Sequence, residues 1–150
     1  MSEANEYYCV IDGVLYTKDK QKLVLYPAGK TGDTFEVPSW VETIRDLAFL
    51  DCINIHTLKI ADSVTEIGNY SLDGCKNITS ITLGKNLTLR WPEMAPLFDS
   101  ESLQEIQGEC LNACTNNGIL YNKDGTSLWR YPRARNVVNF EIPANVTRIE

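Results

Sequence analysis

The chain has 150 residues, 43% hydrophobic and 23% charged, with a formal net charge of −6. This composition is too apolar for a disordered chain, and the length suits a single domain, 1–150, with its own core. The acidic balance disfavours a nucleic-acid backbone as partner, and no apolar run approaches the ~20 residues that insert across a bilayer.

The opening residues, Met1-Ser2-Glu3-Ala4-Asn5-Glu6, are acidic and polar, unlike the start of a signal peptide. Residues 1–8 read as a lead-in, with Tyr7 and Tyr8 available to cover an end of the fold. A hairpin signal follows. Val14-Leu15-Tyr16 and Leu23-Val24-Leu25-Tyr26 are β-rich runs flanking the polar turn Lys18-Asp19-Lys20-Gln21. Pro27, Gly29 and Gly32 then break the pattern.

From Phe35 to Ile106 the chain repeats itself at a spacing of 23 residues. Phe35-x-Val37, Leu58-x-Ile60 and Ile81-x-Leu83 recur in step, and so do Val41, Val64 and Leu87, then Ile44 and Ile67, then Cys52 and Cys75. A fourth turn, Leu103 and Ile106, arrives two residues late. Self-similarity at such a period predicts a solenoid, each unit burying its apolar face against its neighbours. Within a unit, the alternation at 58/60 and 81/83 predicts a short strand with one buried face. Asp46–Cys52 and Asn69–Cys75 are expected to form short helical turns on the outer side, which makes the fold class α/β. The segment 87–98, with Trp91, Pro92 and Pro96, departs from the pattern and reads as an irregular loop.

The hairpin then returns 105 residues downstream without a gap. Gly13-Val14-Leu15-Tyr16 becomes Gly118-Ile119-Leu120-Tyr121, Tyr26-Pro27 becomes Tyr131-Pro132, and Phe35-Glu36-Val37-Pro38 becomes Phe140-Glu141-Ile142-Pro143. In the second copy the turn is Asp124-Gly125, suited to the positive φ angles of a tight hairpin. The organisation is therefore hairpin units at about 9–34 and 114–139, with plain repeats over about 35–108. Val146 and Ile149 match Val41 and Ile44, but no segment matching 46–52 follows. A longer array, or pairing of the free end with another chain in end-to-end self-association, is expected to cover it.

Five cysteines invite a disulfide or metal reading, which their positions oppose. Cys52 and Cys75 share a repeat column, and Cys9 corresponds to Cys114, so these thiols are expected to be unpaired core fillers. Cys110 and Cys114 have a spacing that a loop or helix could close into a disulfide. Zinc needs further ligands, and His56, the single histidine, is far away in sequence. His56 is expected to be a half-exposed residue without catalytic or metal duty. No Ser/His/Asp set, paired-carboxylate motif or Gly-rich phosphate loop occurs, so no catalytic residue, cofactor or metal is expected.

The motif at Pro38, Val41, Ile44, Ala48, Phe49, Cys52, Ile55, Leu58 and Ile60 resembles the BspA-like class of leucine-rich repeats, and the interposed Gly-Val-Leu-Tyr…Leu-x-x-Tyr-Pro unit resembles that family's variant units. The resemblance covers about residues 9–150. It implies a right-handed solenoid with a parallel β-sheet on its concave face, and a non-enzymatic binding role at a cell surface or after secretion, linked to adhesion and host or matrix proteins. Without a signal peptide in the chain, the cytoplasm stands as the alternative location.

Side chains alternate across a strand, so the intervening strand positions, Glu36, Thr57, Lys59, Ser80, Thr82, Glu105, Gln107 and Glu141, are expected to form outward polar rows. These are the candidate binding residues for a protein or carbohydrate. The competing reading makes the rows a solvated face and the chain a structural spacer in a larger protein. Trp40 and Trp91 read as partner anchors or as loop packing. Arg130, Arg133 and Arg135 form one basic cluster, for an acidic ligand or simply for solvation of the hairpin. Asn69, Asn77, Asn86 and Asn145 each open a glycosylation acceptor pattern.

Overall fold

The computed structural model of the chain describes residues 5–91, 98–137 and 139–150. Residues 92–97, the middle of the expected irregular loop, and Met1 to Ala4 of the lead-in lie outside them.

Thirteen short strands, in chain order, make up the regular structure among the described residues. The first hairpin is β1 (Tyr8–Ile11), β2 (Val14–Thr17) and β3 (Lys22–Leu25). The plain repeats supply β4 (Thr34–Glu36), β5 (Thr43–Ile44), β6 (Thr57–Lys59), β7 (Glu66–Ile67), β8 (Ser80–Thr82) and β9 (Glu105–Gln107). The second hairpin is β10 (Ala113–Asn116), β11 (Ile119–Asn122) and β12 (Ser127–Arg130), followed by β13 (Arg148–Ile149).

Each plain repeat contributes one rung to a four-stranded parallel sheet, in the order β4-β6-β8-β9. The pairing is in register with the sequence period: Phe35 lies against Leu58, Leu58 against Ile81, and Ile81 against Ile106. A tight turn then reverses the chain, closed by Val41 N–H on the Pro38 carbonyl and repeated at Val64–Ala61 and Leu87–Gly84, at 3.0 to 3.2 Å. The chain next forms β5 or β7, rungs of a second sheet. That sheet runs β1-β2-β3-β5-β7, antiparallel through the hairpin and parallel from β3 onward. The hairpin is thus the founding rung of a sheet whose later rungs are Ile44 and Ile67. The second hairpin repeats the device, pairing Leu128 with Ile149 in parallel.

The expected solenoid is observed, but its outer segments are not helical. Residues 46–52 and 69–75 form turns, and no α-helix occurs among the described residues. The reason lies in where the amides point. Phe49 N–H donates to Ser71 O and Asp51 N–H to Asp73 O, both at 2.8 Å, across to the next turn of the solenoid. Leu47, Asp51 and Tyr70 also adopt positive φ of 52° to 57°, which a right-handed helix excludes.

The core is the stack of repeat columns. Val41 and Val64, Ile44 and Ile67, Ile55 and Ile78, and Leu58, Ile81 and Ile106 are all buried, joined at the hairpin end by Tyr16, Leu23 and Tyr26. Phe49 sits among the rings of Tyr26 and Phe35, with centroids 5.5 and 5.7 Å away. All five cysteines are free. The Cys52 and Cys75 thiols meet carbonyls 26 residues earlier, Tyr26 O at 3.5 Å and Phe49 O at 2.9 Å. The two hairpin thiols behave alike as well, Cys9 on Thr17 O and Cys114 on Asn122 O, both at 3.3 Å.

A second ladder was not expected. Asn54, Asn77 and Ser100 occupy one column, and each donates to a carbonyl 24 residues back: Lys30 O, Ile53 O and Lys76 O, at 3.2, 2.8 and 2.9 Å. Asn86 and Asn145 likewise spend their side-chain amides on Asp62 O and Gly125 O, each at 2.8 Å. Three of the four glycosylation-pattern asparagines are therefore structural donors, and Ser71, in the fourth pattern, is fully buried.

Candidate binding surface

The parallel sheet sorts its outward residues into two rows. Thr34, Thr57, Ser80 and Glu105 are consecutive partners in one, and Glu36, Lys59, Thr82 and Gln107 in the other. The middle residue of each strand is apolar and turned to the core, so strand alternation alone places its neighbours outside. Seven of the eight sequence-predicted residues fall in these rows. Glu36, Lys59 and Gln107 are exposed; Thr57, Ser80, Thr82 and Glu105 are half-buried. Within the rows Lys59 Nζ lies 4.0 Å from Glu36 Oε2, and Ser80 Oγ donates to Glu105 Oε1 at 3.2 Å. Thr34 belongs to the first row and was missed; its place one period before Thr57 was the available signal.

Glu141 is the exception. The Phe140–Ile142 segment, expected to add the next rung, is not a strand in the structure. The tip of the second hairpin intervenes, and Ile106 N–H, on the outer edge of β9, donates to Gly118 O at 3.0 Å. Gly118 is required there. Its φ is +74°, and a Cβ would lie 2.6 Å from Arg135 Nη1 and 2.9 Å from Glu105 Cβ. Between β9, the hairpin tip and the 139–143 segment opens a groove of about 730 Å³, which Glu141 lines together with Glu105 and Gln107. Arg135 and Tyr121 line it too. Burial pushes the Tyr121 hydroxyl up from its usual pKa, and the positive charge of Arg135 partly offsets this.

The remaining candidates separate cleanly. Trp91 stacks on Trp129, 5.3 Å apart and nearly coplanar at 3°, and both pack on the core, so Trp91 is a packing residue rather than an anchor. Trp40 is exposed. Arg130 and Arg133 both pair with Asp99, the second at 3.7 Å, which leaves Arg135 apart from them in the groove. His56 sits at the foot of β6, its Nδ1 3.5 Å from Asp33 Oδ1. Among the described residues no group of His, Cys, Asp and Glu is arranged to hold a metal ion, and no helix is long and apolar enough to cross a membrane.

Three solved structures are similar. The pneumococcal vaccine antigen PcpA is 26% identical over 57% of this chain and 21% of its own, with a TM-score of 0.56. A leucine-rich cell surface protein from Faecalibacterium prausnitzii is 20% identical over 97% of this chain and 39% of its own, at 0.54. A leucine-rich repeat protein from Eubacterium ventriosum is 20% identical over 99% and 40%, at 0.48. The chain thus spans between about a fifth and two fifths of the length of the solved chains it matches. No curated protein sequence matches it closely enough to count as a relative. The model of the BspA type leucine rich repeat region matches six copies across residues 31–150, which takes in every plain repeat and the second hairpin unit. With rungs in register at that repeat's period, the chain belongs to the BspA type leucine-rich repeat family.

Proposed function

We propose that the chain is a non-enzymatic binding module that presents the two polar rows of its parallel sheet to a protein or a glycan, as part of an adhesive protein at a cell surface. The single observation that carries this reading is the register. It lines up eight outward side chains, Thr34 among them, on a sheet whose other face is the buried core. Repeat solenoids characteristically use such extended surfaces for recognition. The likeness to a pneumococcal vaccine antigen supports a surface location.

The test is a binding screen of the purified chain against host matrix proteins and glycans, followed by the triple variant Lys59→Glu, Thr82→Ala and Gln107→Ala. Its melting temperature should stay nearly unchanged, because these side chains are exposed or half-buried and the Lys59–Glu36 pair is worth about 0–1 kcal/mol. Affinity for any partner found should fall at least about tenfold, as expected when polar contacts at the centre of an interface are lost. Retained affinity in a folded triple variant overturns the row reading.

The proposal includes end-to-end self-association. Ile149 is 59% exposed where its column mates Ile44 and Ile67 are 1% and 2%, and Ile142 is likewise exposed where Val37 is buried. Apolar surface of this kind favours cover, by further repeats of a longer array or by a second chain.

A further inference from the structure

The groove beyond β9 differs in kind from the rows beside it. It is bounded by three separate pieces of chain, and at about 730 Å³ it falls in the range of small-ligand sites. At its wall stands Arg135, half-buried, with Nε shut off from solvent and without a hydrogen-bond partner. The first hairpin unit shows what the equivalent cation does when it is satisfied. There Lys30 occupies the matching position, and its ammonium donates to Asp12 O on the hairpin tip at 2.6 Å. The second unit places a guanidinium at that position and sets Glu105 against the hairpin tip. Arg135 lines the groove, its side chain makes no hydrogen bond or ion pair among the described residues, and its buried Nε is left orphaned.

We propose that this groove is a carboxylate-recognition site, with Arg135 as the residue that takes the carboxylate. A planar fork of N–H donors matches a carboxylate in two parallel hydrogen bonds, and a partly desolvated site strengthens them. The rest of the lining restricts what carries that carboxylate. Glu105, Glu141, Gln107 and Asn117 present acceptors and carboxamides, and Glu105 already accepts from Ser80. A ligand that is anionic throughout is repelled; one with a single carboxylate surrounded by hydroxyl or N–H donors is matched. A uronic acid unit of a polysaccharide and an acidic side chain of a peptide share this chemistry. The inference rests on the reading of the chain as a binding module; Glu105 and Gln107 belong to the groove as well as to the rows, but Arg135, which takes the carboxylate, lies outside both rows.

The experiment titrates the full chain with glucuronate, glucose and N-acetyl-glutamate α-amide, following amide shifts by NMR. Glucuronate should saturate with a dissociation constant on the order of 1 mM, as one bidentate contact allows, and glucose should bind at least about tenfold more weakly. Saturation by the glutamate derivative in place of glucuronate assigns the site to acidic peptides. Arg135→Gln should remove the preference for the carboxylate, and Glu141→Gln, which deletes a like charge from the groove lining, should leave glucuronate binding equal or tighter. If the Gln variant fails to fold, Arg135→Lys replaces it, with a loss of at least about threefold expected because the ammonium lacks the fork. Equal binding of glucuronate and glucose, unchanged affinity on loss of the guanidinium, or weaker binding in Glu141→Gln overturns the proposal. The rows are tested apart from the groove by the double variant Lys59→Glu and Thr82→Ala, which leaves every lining residue in place, so failure here and failure there are distinguishable.

Discussion

Phe49→Ala is the most direct probe of the packing that holds the repeats together. Phe49 has no solvent exposure, and its ring is shared among three chain segments: the first hairpin through Tyr26, the first rung through Phe35, and the turns of its own outer segment. Truncating a buried Phe to Ala costs about 3–5 kcal/mol, the transfer term plus the void left behind. The two aromatic contacts place the expected loss in the upper part of that range, since each such pair adds about 0.5–1.5 kcal/mol beyond burial. The backbone bonds from Phe49 N–H to Ser71 O and from the Cys75 thiol to Phe49 O survive the substitution, so the loss is one of packing. For a chain of this length, 1 kcal/mol corresponds to about 2–4 °C, so the melting temperature should drop by roughly 10 °C. Urea unfolding followed by tryptophan fluorescence gives the free energy, with an unchanged slope if the native state keeps its surface. A loss below about 1 kcal/mol would show that the three segments do not depend on this ring.

Thiol labelling of the native protein should be slow at Cys52 and Cys75 and fast after denaturation, because both are buried and the Cys75 pKa is pushed up by its hydrogen bond with Cys52 and by desolvation. Rapid native labelling at either contradicts the stacked-column packing. Tyr16 has its pKa raised from 10.0 to about 12, chiefly by burial, with the Asp12 charge adding to it. Because the folded value is the higher one, this stability is fully present below pH 10 and is lost as pH climbs toward 12. Tyr16→Phe should match the parent at pH 8 and be more stable by about 2–3 kcal/mol near pH 12, since each tenfold change in proton affinity between the folded and unfolded chain is worth about 1.4 kcal/mol; parallel profiles contradict this. Replacing Ile142 and Ile149 with Lys should lower any concentration-dependent sedimentation of the chain, and an unchanged profile removes the end-to-end contact.

The columns were legible because stacking repeats one chemical choice at every turn: Leu58 and Ile81, Cys52 and Cys75, and Ile44 and Ile67 announce the same buried slot each time. Strand alternation then fixed seven of the eight outward residues without further information. The outer segments misled because Ala48, Phe49 and Cys52 have a spacing that suits a helical face equally well. What decides the matter is a non-local choice, amides at 49 and 51 bonding to carbonyls at 71 and 73. The second sheet was not expected, since two-residue strands carry no periodicity of their own, and Ile44 and Ile67 showed only as a recurring apolar column. The groove was hidden for a related reason. Arg135 reads as one of three clustered arginines until the fold pairs two of them with Asp99 and leaves the third facing β9.

The ladder of Asn54, Asn77 and Ser100 has a mechanical consequence for a protein anchored at one end. These bonds join neighbouring turns, as do the strand pairings beside them, so they lie along the stack. Tension along the stack loads them in series, and the weakest junction sets the force at which extension begins. That junction is the one where Gly118 replaces a rung, because Phe140–Ile142 makes no strand pairing to β9. Pulled from its ends in single-molecule experiments, the chain is expected to release the segment after Gln107 first and to keep the rungs from Thr34 to Thr82 intact. An initial step that opens those rungs instead refutes it. A hairpin unit set between blocks of plain repeats would then act as an extensible link, yielding under load while the blocks on either side keep their surfaces in shape.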